Sequence, residues 1–450
     1  MLTAAALAAC SAVPPRPDTG ANAIAAEADA LMRDLVARNR FQGAVVIGHG
    51  ERIHYAAGFG FADMERRVPF TPDTPTDGAS IAKTFTAAAL LMLAQERRVD
   101  LEAPVAGLVP GYPHAATRVR HLLAHSAGLN DYDWLDPPRS PASEPRTNAS
   151  HMALVARDLP QPNFAPGSAF TYDNVAYDMA ALVAERVSGQ DYPALMAQRF
   201  FKPLGLASTF VRPARFADWP GPRTRGYRRT AEGWKDHDAH DLEGFHGAAN
   251  IYPSARDLQR WMAGYRRAVG SEVYRAAMAP ARLDDGRATG ISLGSWFVSA
   301  DGTRRYYTGH HNGFYNLGYA DDARGLFIAW VANDAPPSWL QAALTRALVA
   351  VAEGREPERL VAPPAADPDV DPTGSYRVPE VGDVAVQRDG KRLRVQWRGV
   401  EYQGFPVARG VHYVPGIDAY LRFAAAPGGG VTMAWDSVYV VAPAVARRAP

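Results

Sequence analysis

The chain has 450 residues, of which 47% are hydrophobic and 21% are charged, and its formal net charge at pH 7 is +1. This composition is ordinary for a globular protein with a large core and more than one domain. The near-zero net charge gives no electrostatic reason to expect nucleic-acid binding. No apolar run in the sequence reaches the length of a membrane-spanning helix.

The only cysteine, Cys10, follows Leu7-Ala8-Ala9 and precedes a Pro-rich polar stretch. This pattern resembles a bacterial lipobox, in which the cysteine is lipidated and becomes the mature N-terminus. Residues 1–20 are therefore predicted to be a lipoprotein-type signal and tether. The predicted location is the periplasmic face of the cell envelope, at the outer membrane in a Gram-negative host, with membrane contact only through the lipid anchor. A disordered N-terminus with an incidental cysteine is the alternative, because no positive charge precedes the apolar run.

The next part of the chain predicts a mixture of helices and strands. Apolar residues at helical spacing indicate a helix over 22–39, and an antiparallel hairpin follows over 41–48 and 52–60. Helical segments broken by Pro-rich loops occupy about 100–240, and a further helix covers 254–267. Strands are predicted at 291–298, 304–308, 316–319 and 326–332, before a helix at 338–353. The predicted fold class is α/β (α+β), with an antiparallel sheet flanked by helices and interrupted by an all-helical insertion.

The composition changes after about residue 355. Residues 356–370 are rich in Pro and acidic residues and indicate a linker between a main domain over 21–355 and a smaller one. Short runs of alternating polar and apolar residues with Gly-rich turns fill 371–450. They predict a small antiparallel β domain.

Ser80-Ile81-Ala82-Lys83 is the strongest chemical signal, because Lys83 is one of only four lysines in the chain. Residues three apart on a helix share a face, so the Ser80 hydroxyl and the Lys83 amine can touch. A lysine in a dry pocket can take, or help to take, the serine proton. The helix-forming run after Gly78 also places Ser80 at a helix N-terminus, where backbone N–H groups can hold an oxyanion. A capping serine followed by a solvated lysine is the alternative for an isolated motif.

Two further motifs follow along the chain. Tyr172-Asp173-Asn174 immediately precedes a predicted helix over 175–188, and a phenol beside a lysine can relay a proton while the Asn174 amide orients its neighbours. Gly309-His310-His311-Asn312-Gly313 lies between two predicted strands, where a glycine permits close backbone approach and a histidine can bind a carboxylate. A helix-capping asparagine and a turn with exposed histidines are the respective alternatives.

Other chemistries are disfavoured. His121 and His125 are four residues apart, and His237, His240 and His246 fall in one acidic loop, but spacing alone does not make a metal site. The sequence has no Gly-x-Ser-x-Gly elbow, Gly-rich phosphate loop or dinucleotide-binding fingerprint. No metal and no cofactor is predicted.

With Ser80-x-x-Lys83, Tyr172-x-Asn174 and His311-Asn312-Gly313 in this order, the chain resembles the serine β-lactamase and penicillin-binding-protein-like superfamily. More narrowly it is similar to hydrolases related to class C β-lactamases, family VIII-type esterases and D-aminopeptidases. The segments VRHLLAHSAGLNDY (119–132) and GAANIYPSARDLQRW (247–261) share in the resemblance, which covers roughly residues 24–350. The 371–450 region is loosely similar to the lipocalin-like domain often appended to these hydrolases.

The resemblance implies roles for individual residues. Ser80 is expected to be the acylated nucleophile, Lys83 its activating partner, Tyr172 the general base and acid, and Asn174 a polar orienter. The Ser80 and Phe314 N–H groups are expected to form the oxyanion hole. His311, Asn312 and Gly313 are also expected to bind the substrate. Either His310 or His311 can fill the position where many relatives have the lysine of Lys-Thr-Gly.

The predicted function is a serine hydrolase that cleaves a small-molecule ester, amide or peptide through a Ser80 acyl-enzyme. A D-amino-acid peptidase or carboxypeptidase, and a weak β-lactamase of the cell envelope, are enzymatic alternatives. A non-catalytic protein that binds peptidoglycan or a partner through the same cleft is a third hypothesis. The sequence predicts no particular oligomeric state.

Overall fold

A computed structural model of the chain describes residues 21–129, 144–230, 232–426, 430–439 and 444–447. Cys10 and the rest of the predicted signal and tether lie outside the described residues. Within the described ranges, no helix combines the length and the apolar character needed to cross a membrane.

The helices of the described residues follow the predicted order. In sequence they are α1 (Ala21–Ala37), α2 (Ala82–Gln95), α3 (Val105–Leu108), α4 (Val119–Leu123), α5 (Asn148–Asp158), α6 (Asn174–Ser188), α7 (Tyr192–Met196), α8 (Lys202–Leu204), α9 (Ala255–Met278) and α10 (Ser338–Ala352). Helix α9 was predicted to end near residue 267, but a second helical segment continues beyond Gly270, whose φ of 80° breaks the regular helix. A glycine adopts this conformation without the steric cost that other residues pay.

The strands fall into two groups separated by α10. Those before it are β1 (Gly43–His49), β2 (Arg52–Phe59), β3 (Phe61–Asp63), β4 (Val68–Pro69), β5 (Phe210–Val211), β6 (Tyr227–Thr230), β7 (Gly233–Asp236), β8 (Ile251–Tyr252), β9 (Pro280–Arg282), β10 (Ala288–Ser292), β11 (Phe297–Val298), β12 (Arg304–His311), β13 (Phe314–Asp321) and β14 (Leu326–Ala332). Those after it are β15 (Gly374–Val378), β16 (Gly382–Asp389), β17 (Arg392–Trp397), β18 (Val400–Ala408), β19 (Val411–Val414), β20 (Ala419–Ala425), β21 (Val431–Asp436) and β22 (Ala444–Arg447).

A six-stranded antiparallel sheet, in the order β11-β12-β13-β14-β1-β2, forms the centre of the larger unit. Every residue of β13 and β14 is buried, because helices cover both faces of the sheet. On one face a Cβ at Gly318 would lie 2.8 Å from the Met262 sulfur of α9. On the other face Trp330 donates from its indole nitrogen to Thr345 of α10. The predicted antiparallel sheet flanked by helices is confirmed.

The stretch between about residues 100 and 240 was predicted to be all-helical. Helices α3 to α8 occupy much of it, but it also holds the short strand β5 and the β6–β7 hairpin. This hairpin leads into a segment that reaches the central sheet, where the Gly313 N–H donates to the His237 carbonyl at 2.7 Å. The insertion therefore covers the turn between β12 and β13.

The C-terminal strands form an eight-stranded antiparallel sheet in simple sequence order, from β15 to β22. Strand β17 alternates exposed and buried residues, which is the pattern of a sheet with one solvent-exposed face. The predicted antiparallel β domain is thereby confirmed. It packs on the larger unit: Arg346 pairs with Asp436 at 3.0 Å, and the Tyr439 hydroxyl donates to the Phe297 carbonyl at 2.6 Å.

Candidate active site

Ser80 lies in a single 3-10 turn, Ala79–Ile81, that leads directly into α2. Ala79 has a φ of 46°, a region that residues with a side chain seldom occupy. Its N–H is satisfied by the Asp77 carboxylate at 2.8 Å. Strained backbone of this kind persists only where its surroundings hold it in place. Here it presents a partly exposed hydroxyl at the start of a buried helix.

Lys83 is buried one turn further along the same helix. Its ammonium donates to Ser80 Oγ at 3.0 Å, to Asn174 Oδ1 at 2.6 Å and to the Ala248 carbonyl at 3.0 Å. Three acceptors match its three N–H bonds, so the side chain is held in one position. The predicted contact between Ser80 and Lys83 is present in the structure, and so is the contact with Asn174.

The Tyr172 hydroxyl approaches Ser80 Oγ from the opposite segment, at 2.9 Å. Tyr172 lies immediately before α6, whose N-terminus is capped by the Asp173 carboxylate accepting from the Ala176 N–H. The His125 ring stacks on Tyr172 with 4.6 Å between ring centroids. Burial, together with the nearby charge of Lys83, lowers the pKa of His125 to about 3, so this ring is neutral at ordinary pH.

The third motif is the part of the predicted site that differs from the structure. His311 was expected to stand where relatives have the lysine of Lys-Thr-Gly, but its Nδ1 contacts Asp77 instead. The residue that meets Tyr172 is Tyr307, four positions earlier, with 3.5 Å between the two hydroxyl oxygens. Side chains alternate between the faces of a strand, so Tyr307, Gly309 and His311 share the face of β12 that points towards α2.

The sequence contained a signal for this register. Tyr307-Thr308-Gly309 differs from Lys-Thr-Gly only in its first residue. Gly309 lies against the nucleophile turn, residues 77–81 around the predicted nucleophile Ser80, so closely that a Cβ there would be 2.0 Å from the Gly78 carbonyl oxygen. A glycine in a strand permits such a close approach of another backbone segment. The structure thus places Tyr307-Thr308-Gly309 beside Tyr172 and Gly78, four residues before the predicted His311-Asn312-Gly313.

The structure also favours a different oxyanion donor from the predicted Phe314 N–H. Strands β12 and β13 are joined by the two-residue turn Asn312–Gly313, which is closed by the pair His311 and Phe314. The residues of such a closing pair bond to each other, which commits the Phe314 N–H to β12. The neighbouring His310 is in a non-bonded position, so its N–H points out of the opposite edge of β12. Among the described strands none pairs with that edge beyond Tyr306, and the nucleophile turn lies beside it.

The remaining predicted residues have structural surroundings. Asn312 has a φ of 51° and its side-chain amide lies 3.2 Å from His311 Nε2. The Gly313 backbone packs against Tyr227, which leaves no room for a Cβ. His121 contacts Asp284, while His246 stacks on Tyr192. Over the described ranges, no group of three or more His, Cys, Asp or Glu side chains is arranged to hold a metal ion.

Comparisons with known proteins give the family of the chain. The profile of the Beta-lactamase family matches residues 28–353. A curated relative, penicillin-binding protein 4* of Bacillus subtilis (strain 168), is 28% identical over 181 residues, which is 40% of this chain and 40% of the relative. The chain therefore spans less than half the length of that relative.

Solved structures with the same fold include the octameric penicillin-binding protein homologue from Pyrococcus abyssi. It has a TM-score of 0.63 and 19% identity, and the match covers 93% of this chain and 99% of that one. The D-amino acid amidase from Ochrobactrum anthropi SV3 has a TM-score of 0.56 and 23% identity, over 70% of this chain and 90% of that one. The family profile covers well over half of the chain, and we conclude that the chain belongs to the Beta-lactamase family.

Proposed function

We propose that this protein is a serine hydrolase that cleaves an ester or amide bond through an acyl-enzyme on Ser80. The observation that carries the proposal is a double contact on one hydroxyl: Lys83 Nζ lies 3.0 Å and the Tyr172 hydroxyl 2.9 Å from Ser80 Oγ. A partly exposed serine in contact with a phenol that can exchange its proton and a cation that holds it in place is an arrangement suited to nucleophilic catalysis.

In the proposed mechanism, Tyr172 in its phenolate form accepts the Ser80 proton as Oγ bonds to the substrate carbonyl carbon. The Lys83 ammonium holds Ser80 Oγ and Asn174 in position. The carbonyl oxygen becomes an oxyanion, and we assign the Ser80 and His310 N–H groups as its donors. When the tetrahedral intermediate collapses, the bond to the leaving group breaks and Tyr172 returns the proton to the leaving oxygen or nitrogen. Water then attacks the acyl-enzyme, Tyr172 takes its proton, and that proton returns to Ser80 as the acid departs.

The substrate class follows from the third motif. Tyr307 occupies the place beside Tyr172 where a lysine would supply a permanent cation, so a substrate carboxylate finds no such partner there. We therefore propose short acyl esters as the leading substrates and expect little β-lactamase activity. The fold likeness to a D-amino acid amidase supports an uncharged amide as the second candidate.

The non-catalytic alternative predicts a cleft that binds peptidoglycan or a partner without turnover. The intact contacts among Ser80, Lys83, Tyr172 and Asn174 favour catalysis, because these polar groups are ordered around one hydroxyl. A purely binding cleft would not need that arrangement.

A location in the cell envelope remains part of the proposal. It rests on Cys10 and the residues around it in the sequence. Fractionation of cells that express the native gene, compared with a Cys10→Ala form, tests it. We expect the native form in the membrane fraction and the variant in the periplasm, whereas both forms in the cytoplasm would contradict a lipid anchor.

The test of the hydrolase proposal is a substrate panel with matched serine variants. The panel contains a short p-nitrophenyl ester, a D-amino-acid amide, a lactone and a cephalosporin. Ser80→Ala should abolish turnover and fluorophosphonate labelling, whereas Ser271→Ala, at an exposed position on α9, should change neither. Activity that survives Ser80→Ala, or a label on another serine, would refute the proposal.

A further inference from the structure

Asp77 and His311 form a carboxylate–imidazole pair that the proposed mechanism does not use. Asp77 Oδ2 lies 2.7 Å from His311 Nδ1, with the Asp77 side chain fully buried and the His311 side chain 31% exposed. The two residues are 234 positions apart in sequence. The pair therefore joins two segments that no local preference brings together.

Each segment carries one of the two assigned oxyanion donors. Asp77 lies three residues before Ser80, and its second carboxylate oxygen accepts the N–H of the strained Ala79 at 2.8 Å. His311 directly follows His310 on β12. One carboxylate thus contacts both the turn that bears the Ser80 N–H and the strand that bears the His310 N–H.

The rest of the Asp77 backbone is also anchored. The Asn316 side-chain amide of β13 donates to the Asp77 carbonyl and accepts from the Thr76 hydroxyl, the latter at 2.9 Å. On the opposite side, the Gly78 N–H donates to the Ile251 carbonyl at 2.9 Å. The carboxylate therefore projects from a fixed platform, and its contact with His311 determines where the end of β12 lies.

We propose that Asp77 and His311 are positioning residues, an ionic clasp that holds the edge of β12 against the nucleophile turn and so sets the spacing of the oxyanion donors. The clasp rests on the proposed function, because a spacing of donors matters only if an oxyanion forms. Preset donors are usually the largest single term in such catalysis, so a small change in their spacing changes kcat more than KM.

The charge of the pair makes the clasp depend on pH. Burial alone lowers the pKa of His311, but the charge and hydrogen bond of Asp77 outweigh it and the net pKa is raised. The pKa of Asp77 is lowered in spite of burial, through the same contact. The other charged or titratable groups that face the His311 ring are Arg212 and Glu243, His237 and His310. Arg212 and Glu243 pair with each other at 2.7 Å, which limits their net effect on the pKa of His311.

The direction of the pH effect follows from the raised pKa. Stabilisation by the His311 charge is complete below the pKa that His311 has when unfolded, and it is lost as the pH rises through the raised folded pKa. Above that pH, the neutral ring still donates a hydrogen bond to Asp77 but no longer forms an ion pair. The clasp is therefore strongest on the acidic side.

Asp77→Asn separates the charge from the shape of this contact. The asparagine oxygen remains with the Ala79 N–H, so its NH2 group faces His311 Nδ1 and needs that nitrogen unprotonated. The variant clasp forms with a neutral ring and opens when the ring is protonated. The ratio of variant to wild-type kcat should accordingly be lowest, about tenfold down, at acidic pH and should rise towards one at alkaline pH.

The experiment measures kcat and KM between pH 5.5 and 9 on whichever substrate the panel identifies. The control is Asp284→Asn, which alters another carboxylate–histidine pair, with His121, away from the nucleophile turn. Its kcat ratio should be independent of pH. In addition, the double variant Asp77→Asn/His311→Asn should have a kcat no lower than that of the more damaging single variant, because each single substitution already breaks the same contact.

A kcat ratio for Asp77→Asn that does not vary with pH, or additive effects in the double variant, would overturn the inference. If Asp77→Asn does not fold in thermal melts, the His311→Asn ratio is read instead: it should be lowest at acidic pH, and a flat ratio again overturns the clasp. Failure of the hydrolase proposal is separately visible, because it appears as activity in Ser80→Ala.

Discussion

Gly309→Ala tests how closely the third-motif strand must approach the nucleophile. A Cβ at this position would lie 2.0 Å from the Gly78 carbonyl oxygen, whereas ordinary van der Waals contact begins at 3.4 Å. Neither the Gly309 backbone nor the Gly78 carbonyl can shift easily, because both belong to the main chain and the Gly78 N–H donates to the Ile251 carbonyl. The strand must therefore move away from Ser80 by roughly 1 Å, a misplacement that can cost about 10²-fold in rate.

The assay compares kcat, fluorophosphonate labelling rate and melting temperature of Gly309→Ala with those of the wild type. Overpacking should also reduce stability by about 1–3 kcal/mol, so the melts show how much folded enzyme is present. Gly107→Ala is the matched control, because a Cβ there meets no atom within 4 Å. A folded Gly309→Ala enzyme with kcat within about threefold of wild type would refute the assignment of this strand to the site.

Three further predictions concern Lys83 and Tyr172, Tyr307, and the C-terminal sheet. Lys83→Arg and Tyr172→Phe should each lower kcat by about 10² or more in steady-state assays, because a guanidinium cannot reproduce the three contacts of the Lys83 ammonium and phenylalanine lacks the proton-accepting oxygen. Near-normal turnover by Lys83→Arg would show that those three contacts are not required. Tyr307→Lys should lower KM for substrates that carry a carboxylate relative to neutral esters, and an unchanged preference would contradict its place in the third motif. Deletion of residues 371–450 should reduce turnover and the melting temperature, because this region contacts β11 and α10 of the larger unit. Full activity without it would point to a separate binding role.

Local sequence patterns predicted much of the fold and the contact between Ser80 and Lys83. Ser80 and Lys83 are three residues apart on a single helical face, so their contact follows from helix geometry. Strand β14 occupies its predicted residues 326–332. Tyr172 could be placed near Ser80 only through the family resemblance, because 92 residues separate the two.

The third motif and the clasp could not be placed in the same way. Tyr307 has no charge to mark it, and a buried tyrosine beside other aromatic residues is ordinary core. The two histidines at the following turn were the more conspicuous chemical groups. The Asp77 contact of His311 depends on how β12 is aligned with the nucleophile turn, and that alignment is a tertiary property. Residue spacing along the chain carries no information about it.

The charges around Ser80 explain why the proposed substrate is uncharged near the scissile bond. Lys83 directs its three N–H bonds to Ser80, Asn174 and Ala248, so its charge is already engaged by protein acceptors. The His311 charge is matched by Asp77. Burial raises the pKa of Tyr307, which keeps this hydroxyl neutral. A carboxylate that entered among these described groups would lose its hydration without gaining a cation, and the cost of that exchange favours esters and neutral amides over β-lactams.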